Sequence, residues 1–93
     1  METKDYRIVA EAGLRARPAT EFIREAEKYH SSVELTYNHK TVNAKSVMGV
    51  MSLGIPMDSR ITITTNGDDE KEAIDGIGSC LSSQGLISSI TVK

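Results

Sequence analysis

The amino-acid sequence predicts a small α+β domain in which an antiparallel sheet carries helices on one face. With 93 residues the chain suffices for one hydrophobic core, and we expect a single domain over residues 1–93 with its core within about residues 5–86. Segments that alternate apolar and polar residues, as half-buried strands do, are separated by segments with helical spacing. Their order is strand, helix, strand, strand, short helix, strand, helix, which favours this architecture.

The first strand and the first helix are predicted on either side of Gly13. Residues 5–10 alternate, with Tyr6 and Ile8 on the apolar side, which predicts a half-buried strand. From Ala16 onward apolar side chains recur at helical spacing, which predicts a surface helix that lies on the core and closes at His30.

The middle of the chain predicts a hairpin followed by a short helix. The stretch SVELTY, residues 32–37, alternates as a second strand, and a polar turn at 38–40 leads into a third strand over 41–44. Residues 47–53 then have helical character, with Gly54 just past their end.

A fourth strand and a final helix complete the domain. The stretch RITITT, residues 60–65, alternates, and after it Asp69 with Glu72 fits the capping box of a helix that runs to about Gln84. Gly85 is predicted to terminate this helix.

Two features of the C-terminal part leave alternatives open. Gly76 and Gly78 each cost a helix about 1 kcal/mol relative to alanine, so either close packing requires them or the helix is weak. The tail, residues 87–93, forms either a fifth edge strand or a frayed end, and an exposed strand edge there is a place where a second chain adds.

Composition excludes several classes of protein. The net charge of -2 argues against a direct nucleic-acid binder, and no apolar run reaches the length of a membrane span or a signal peptide, so we expect a cytoplasmic protein. The single cysteine, Cys80, follows an apolar helical stripe and is expected to be buried and inert. His30 and His39 are expected at the surface. No metal or nucleotide motif is present, which predicts neither metal nor cofactor.

The stretch EAGLRARPAT, residues 11–20, predicts an anion site. The free backbone N–H groups of a helix start attract anions, and Arg15, Ala16 and Arg17 fall at that start. The alternative is that both arginines are solvated side chains. A guanidinium has no lone pair available at neutral pH, so Arg15 cannot accept a phosphoryl group and no catalytic residue is predicted here.

The stretch KSVMGVMSLG, residues 45–54, predicts a second site. Ser46 precedes the short helix, so its hydroxyl either only caps the helix or also accepts a phosphate. Seven helical residues cannot bury Val47, Met48 and Met51 together with their apolar neighbours, which predicts exposed apolar surface suited to a protein partner.

The order of the predicted elements and two stretches, GLRARPAT and KSVMGVMSLG, extend over residues 6–86. Together they closely resemble the HPr family, the phosphocarrier proteins of the bacterial sugar phosphotransferase system. The resemblance implies an open-faced β-sandwich, with four antiparallel strands and three helices on one side. In the family a histidine stands where this sequence has Arg15, and it carries phosphate from enzyme I to sugar-specific proteins. Carrier activity is therefore not implied for this chain.

The resemblance implies a regulatory role, because the family's regulatory residues have matches in this sequence. Ser46 matches the serine phosphorylated by HPr kinase/phosphorylase, Arg17 assists the phosphoryl site, and Val47, Met48 and Met51 match the docking surface for enzyme I, the kinase and the catabolite control repressor. The pattern is similar to the Crh-like branch of the family, which lacks the histidine. It implies a non-catalytic regulator that is a monomer or a weak homodimer and docks to enzyme I at most without transfer.

Three other interpretations stay open at the level of sequence. The first is a phosphocarrier whose histidine is replaced by Arg15. The second is an HPr-like module of another phosphotransfer route, such as dihydroxyacetone kinase or nitrogen regulation. The third is a small α+β domain that binds an anionic metabolite between Arg15 and Arg17.

Overall fold

The chain folds as an α+β domain with three helices on one face of an antiparallel sheet, which confirms the predicted class. The computed structural model describes residues 1–11, 13, 14 and 16–89; for Ala16 and Ser89 it describes the backbone only. In chain order the elements are β1 (Glu2–Ile8), α1 (Ala16–Ala26), β2 (Ser32–Tyr37), β3 (Lys40–Asn43), α2 (Val47–Leu53), β4 (Arg60–Asn66), α3 (Glu70–Ser83) and β5 (Ile87–Ser89).

The sheet has the strand order β3-β2-β4-β1-β5, with every pairing antiparallel. The central strand, β4, pairs with β1 from Glu2↔Thr65 to Arg7↔Arg60. The predicted sheet of four strands is therefore extended by a fifth at its edge. Of the tail, residues 87–89 form this edge strand, and residues 90–93 lie outside the described residues.

The first strand begins three residues earlier than predicted, at Glu2. Its polar first half is held by side chains of β4: Thr62 donates to the Asp5 carboxylate at 2.8 Å, and the Thr3 and Thr64 hydroxyls lie 3.5 Å apart. Such cross-strand pairs stabilise a strand without apolar alternation. The sequence pattern alone therefore places the start of β1 too late.

The first helix ends at Ala26, short of the predicted end at His30. The Lys28 N–H donates to the Glu25 carbonyl at 3.1 Å and the Tyr29 N–H to the Ala26 carbonyl at 3.3 Å. These bonds span three residues instead of four, so the last turn is tightened as helix ends often are.

The hairpin between β2 and β3 has a two-residue turn, one residue shorter than predicted. Asn38 and His39 both have positive φ, 54° and 69°, which is the combination that a type I′ hairpin turn requires. Lys40 consequently belongs to β3 and pairs with Tyr37.

One hydrophobic core fills the space between the helices and the sheet. Its largest fully buried members come from all three helices, three of the strands and the loops that adjoin them: Phe22, Ile8, Leu14, Leu35, Ile55, Ile61, Ile63, Ile77, Leu81, Val33 and Val50. The described side chains on the opposite face of the sheet are mostly polar, among them Asp5, Arg7 and Glu34. This arrangement places both predicted sites on the helical side of the molecule.

The two glycines of α3 are explained by close packing, the first of the two alternatives. A Cβ at Gly76 would collide with the Tyr29 hydroxyl, and a Cβ at Gly78 would collide with the Tyr6 hydroxyl. Each glycine therefore receives the end of a tyrosine ring from a neighbouring element. Alanine, which favours a helix by about 1 kcal/mol over glycine, would displace a tyrosine hydroxyl at either position.

The predicted capping box at the start of α3 is wrong. Asp69 occupies the N-cap position but makes no side-chain bond to the helix. Its carboxylate instead accepts hydrogen bonds from the backbone N–H groups of His30 and Ser31, both at 2.9 Å, and from the Ser31 hydroxyl. Asp69 thus joins the start of α3 to the start of β2. These bonds to the ionised form lower the pKa of Asp69 from 3.8 to about 2.

Replacement of the Asp69 carboxylate is expected to make the stability of the fold less dependent on pH in the acid range. Because the folded-state pKa of Asp69 is depressed, its contribution is present above the unfolded value near 3.8 and is lost as the pH falls through about 2. We expect Asp69→Asn to unfold at a lower urea concentration near neutral pH, with the difference from the wild type vanishing towards pH 2. Urea titrations over this range measure it, with Asp68→Asn as the matched control; an undiminished difference at the acid end contradicts the assignment.

Cys80 is half-buried and so more accessible than the predicted fully buried thiol. Burial, and then the hydrogen bond to Glu25, raise its pKa. Glu25 itself is buried, and its carboxylate accepts from Lys28 at 3.0 Å and from the Tyr29 hydroxyl at 3.1 Å. A neighbouring carboxylate disfavours the thiolate, so Cys80 has the character of an inert thiol.

Candidate functional site

The chain immediately before α1 is held by the loop that follows α2. Gly13 has φ +72° and its N–H donates to the Ala10 carbonyl at 2.9 Å, while the Leu14 N–H donates to the Ile55 carbonyl at 2.8 Å. The Leu14 side chain is 1% exposed, which anchors this segment in the core. A Cβ at Gly13 would collide with the Ile55 carbonyl oxygen and lie 2.8 Å from the Pro56 Cα. Glycine is therefore required by conformation and by space.

The first turn of α1 contains part of the predicted anion site. Arg17 is exposed in this turn, Pro18 is half-buried beside it, and the turn contains no acidic residue. Proline is tolerated here because the first N–H groups of a helix have no intrahelical partner. Arg15 and the side chain of Ala16 lie outside the described residues, so Arg17 is the described side chain of that site.

Ser46 forms the N-cap of α2, as the sequence predicts. Its backbone is extended, with φ -100° and ψ 118°, and its Oγ accepts a hydrogen bond from the Gly49 N–H at 3.1 Å. The helix ends at Gly54, whose φ of 55° is left-handed. Ser46 is half-buried, and its neighbour Lys45 donates from Nζ to the Tyr29 carbonyl at 2.7 Å.

The surface of α2 is apolar and exposed, as its sequence predicts. Val47 is 56% exposed, Met48 83% and Met51 38%, whereas Val50 is fully buried. We call the set Arg17, Val47, Met48 and Met51 the candidate docking face. Flexible, polarisable methionine side chains adapt to a partner's surface more readily than branched ones.

A groove with polar and apolar walls lies between α1 and α2, beside this surface. It encloses about 200 Å³ and is lined by Thr20, Ile23, Arg24, Glu27 and Val47. The lining residues from α1 and from the turn after it do not follow from the sequence motifs, because the pairing of the two helices is a tertiary contact. The spacing of Thr20, Arg24 and Glu27 on one side of the helix is the single sequence signal that indicates a shared face.

The two predicted sites lie at opposite ends of α2. The segment before α1 contacts residues after the C-terminal end of α2, whereas Ser46 precedes its N-terminal end. A helix of seven residues spans roughly 10 Å. The exposed apolar side chains of α2 belong to the helix that separates Ser46 from Ile55.

Nothing near either site in the described part of the chain resembles an activated nucleophile or a metal centre. His30 and His39 are both exposed, in the turn after α1 and in the β2–β3 hairpin, which confirms their predicted surface position. Across the described ranges, no three His, Cys, Asp or Glu side chains converge on a point that suits a metal ion. In the same ranges, each helix is too short or too polar to cross a bilayer.

A family profile described as the PTS HPr component phosphorylation site matches residues 2–83 of the chain. The match includes both predicted sites and every helix. It ends where α3 ends, so β5 and the tail lie beyond it.

Three solved structures show how similar the fold is. The histidine-containing phosphocarrier protein of Mycoplasma shares 34% identity with a TM-score of 0.89, over 95% of this chain and 100% of that one. The HPr phosphocarrier of Bacillus anthracis shares 43% identity with a TM-score of 0.80, over 85% and 94%. Crh of Bacillus subtilis, a domain-swapped dimer, shares 39% identity with a TM-score of 0.69, over 81% and 86%.

Proposed function

Since this chain belongs to the HPr family of the phosphotransferase system, we propose that it is a regulatory member, phosphorylated at Ser46 and unable to carry phosphate at position 15. Proteins of this family are phosphocarriers and not catalysts. In our proposal the chain is not an enzyme and retains the serine-based signal without the carrier step.

The observation that carries the proposal is the arginine at position 15. The family's phosphocarriers are histidine-containing, and here the matching position holds a guanidinium. An imidazole nitrogen has a lone pair with which to attack a phosphoryl group, whereas an arginine stays protonated at every physiological pH. Arg15, Ala16 and Arg17 are therefore proposed as an anion-binding element and not as a phosphoryl acceptor.

Ser46 is the proposed acceptor of the signal. Ser46 is half-buried at the N-terminal end of α2 and precedes the exposed Val47 and Met48. Phosphorylation adds roughly -1.5 to -2 charges near pH 7 together with three acceptor oxygens. A partner with an arginine beside an apolar recess would then bind the phosphate and the methionines together.

The proposed partners are an HPr kinase/phosphorylase, which reads the docking face and modifies Ser46, and a catabolite control transcriptional regulator, which binds the product. Enzyme I is proposed to dock without transfer. We place the protein in the cytoplasm, where these partners act, with no direct contact to nucleic acid or membrane. This chain is proposed to be a monomer or a weak homodimer. The dimer formed by Crh supports the second state.

A second function is favoured by the first turn of α1. That turn carries Arg17 and no acidic residue, so an anionic metabolite is a candidate ligand. Titration with phosphate-bearing compounds tests this function; an affinity that Arg17→Ala leaves unchanged excludes it.

Incubation with HPr kinase and ATP tests the proposed function. We expect intact-mass analysis to show one added phosphate, because the Ser46 hydroxyl is the acceptor. Ser46→Ala is expected to abolish the added mass. Ser52→Ala is the matched control, since Ser52 is an exposed serine of the same helix whose hydroxyl donates to the Gly49 carbonyl at 2.7 Å. Phosphorylation that persists in Ser46→Ala refutes the proposal.

A further inference from the structure

Two arginines lie directly opposite each other on the face of the sheet that carries no helix. Arg7 of β1 and Arg60 of β4 are register partners, and both are exposed. Their neighbours Tyr6, Ile8 and Ile61 are buried in the core, so the alternation of a strand directs both arginines to the other face. The helices and the candidate docking face therefore lie on the far side of the sheet from this pair.

The ladder brings the two arginine side chains as close together as an antiparallel pair allows. The Ile8 N–H donates to the Ser59 carbonyl at 2.9 Å, and the Ile8 carbonyl accepts from the Asp58 N–H at 2.7 Å. Two residues just before β4 thus bond to one residue of β1, which is a β-bulge. Hydrogen-bonded and non-hydrogen-bonded pairs alternate along the ladder, so Arg7 and Arg60 form a non-hydrogen-bonded pair, in which side chains approach most closely.

Neither arginine forms an ion pair with an acidic residue in the described ranges. The cations in the ion pairs there are the N-terminal amine, Lys4 and Lys28. Asp5 lies on the same face of β1 as Arg7, and its carboxylate accepts a hydrogen bond from the Thr62 hydroxyl at 2.8 Å. Like charges directly opposite each other destabilise a sheet. The arginine pair therefore lowers the stability of the free fold, and an anion bound between the two guanidinium groups would offset that loss.

A serine hydroxyl extends this row of hydrogen-bond donors. Ser88 of β5 is the register partner of Arg7, so the two side chains share a face of the sheet. Arg60, Arg7 and Ser88 consequently form one row across three neighbouring strands. Guanidinium groups only donate hydrogen bonds, whereas a hydroxyl donates or accepts. Because the net charge of the chain is -2, this positive row is a local feature of the surface.

We propose that Arg7 and Arg60 together bind a phosphate group, with the Ser88 hydroxyl beside them. A carboxylate has two oxygens, which one guanidinium fork satisfies. A phosphate group presents three acceptor oxygens and up to two negative charges, so two forks bind it at once. The ligand is free phosphate or a phosphate monoester, which share this chemistry. The inference does not rest on the proposed function, since the pair lies on the opposite face of the sheet from α2 and Ser46.

An NMR titration of the full chain with inorganic phosphate tests this site. At about pH 8, where phosphate is a dianion, and at constant ionic strength, we expect the Nε–Hε signals of Arg7 and Arg60 to shift along one saturating curve. Arg7→Gln and Arg60→Gln are each expected to weaken the affinity roughly fivefold, because each removes one of the two charge-assisted forks. Arg24→Gln removes the same charge from an exposed position on α1 and should leave the affinity unchanged.

Two further titrations identify the ligand and separate this site from the predicted anion site at α1. Saturation by glycerol 2-phosphate as well as by inorganic phosphate identifies a monoester as a ligand, and saturation by inorganic phosphate alone identifies the free ion. Arg17→Ala should leave the Arg7 and Arg60 signals responding as in the wild type. Shifts that rise linearly without saturation, or that Arg7→Gln and Arg60→Gln do not weaken, overturn the inference.

Urea denaturation gives an independent readout of the same pair. In chloride, Arg60→Gln is expected to unfold at a higher urea concentration than the wild type, because it removes the repulsion between like charges. Phosphate should raise the unfolding midpoint of the wild type more than that of the variant, since a ligand stabilises the state that binds it. Equal effects of phosphate on the two chains contradict the inference.

Discussion

Gly13→Ala is expected to lower the free energy of unfolding by roughly 2–6 kcal/mol, a large fraction of the total for a domain of this size. Two costs combine. Alanine is strained at the φ of +72°, and its Cβ would collide with the Ile55 carbonyl oxygen, so the segment that begins α1 has to separate from the loop after α2. Urea denaturation followed by circular dichroism measures the change.

Gly85→Ala is the control that separates these two costs. Gly85 has the same φ of +72°, but a Cβ there meets nothing within 4 Å. It should therefore show the conformational cost alone, roughly 1–3 kcal/mol. If both variants lose the same stability, the contact with Ile55 does not hold the start of α1, and our account of how this site is positioned is wrong.

Arg15→His is expected to convert the chain from an inert protein into a phosphoryl acceptor for enzyme I and phosphoenolpyruvate. Arg17 lies in the first turn of α1, and Gly13 fixes the segment that precedes this helix, so we expect both to support a phosphoryl group on a histidine at position 15. An imidazole supplies the lone pair that the guanidinium lacks. We expect the wild type to gain no phosphate and the variant to approach one phosphate per chain, measured by intact mass at neutral or alkaline pH.

Arg15→Gln is the matched control for this gain of function. It removes the positive charge without adding a nucleophile, so it should stay inert. Transfer to Arg15→Gln would mean that the phosphate goes elsewhere. A variant with histidine that gains nothing would mean that the surrounding site, and not residue 15 alone, has lost the carrier function.

The strands, helices and family could be predicted because they depend on local patterns. Alternation in SVELTY and RITITT, helical spacing after Ala16, and Ser46 ahead of an apolar run each indicate an element from a few consecutive residues. These elements are confirmed: β2 and α2 have the predicted bounds, and β3, β4 and α3 differ from theirs by one residue. The larger shifts, at the start of β1 and the end of α1, arise from cross-strand side chains and from a tightened turn.

The features that sequence did not predict depend on contacts between distant residues. Asp69 fits a capping box by local sequence. In the fold, however, its carboxylate accepts hydrogen bonds from the N–H groups of His30 and Ser31 and does not cap the helix. Likewise, a sequence does not say which tyrosine meets Gly76, or that Arg24 of α1 shares a groove with Val47 of α2.

The central claim is that the Ser46 hydroxyl is phosphorylated and that the Arg15 side chain does not accept a phosphoryl group. The most direct measurement incubates the wild-type chain with HPr kinase, ATP, enzyme I and phosphoenolpyruvate together, and then maps the phosphate before and after mild acid treatment. Our account predicts one acid-stable phosphate, on the peptide that contains Ser46. An acid-labile phosphate on the peptide that contains Arg15, passed on to a downstream acceptor, would contradict it.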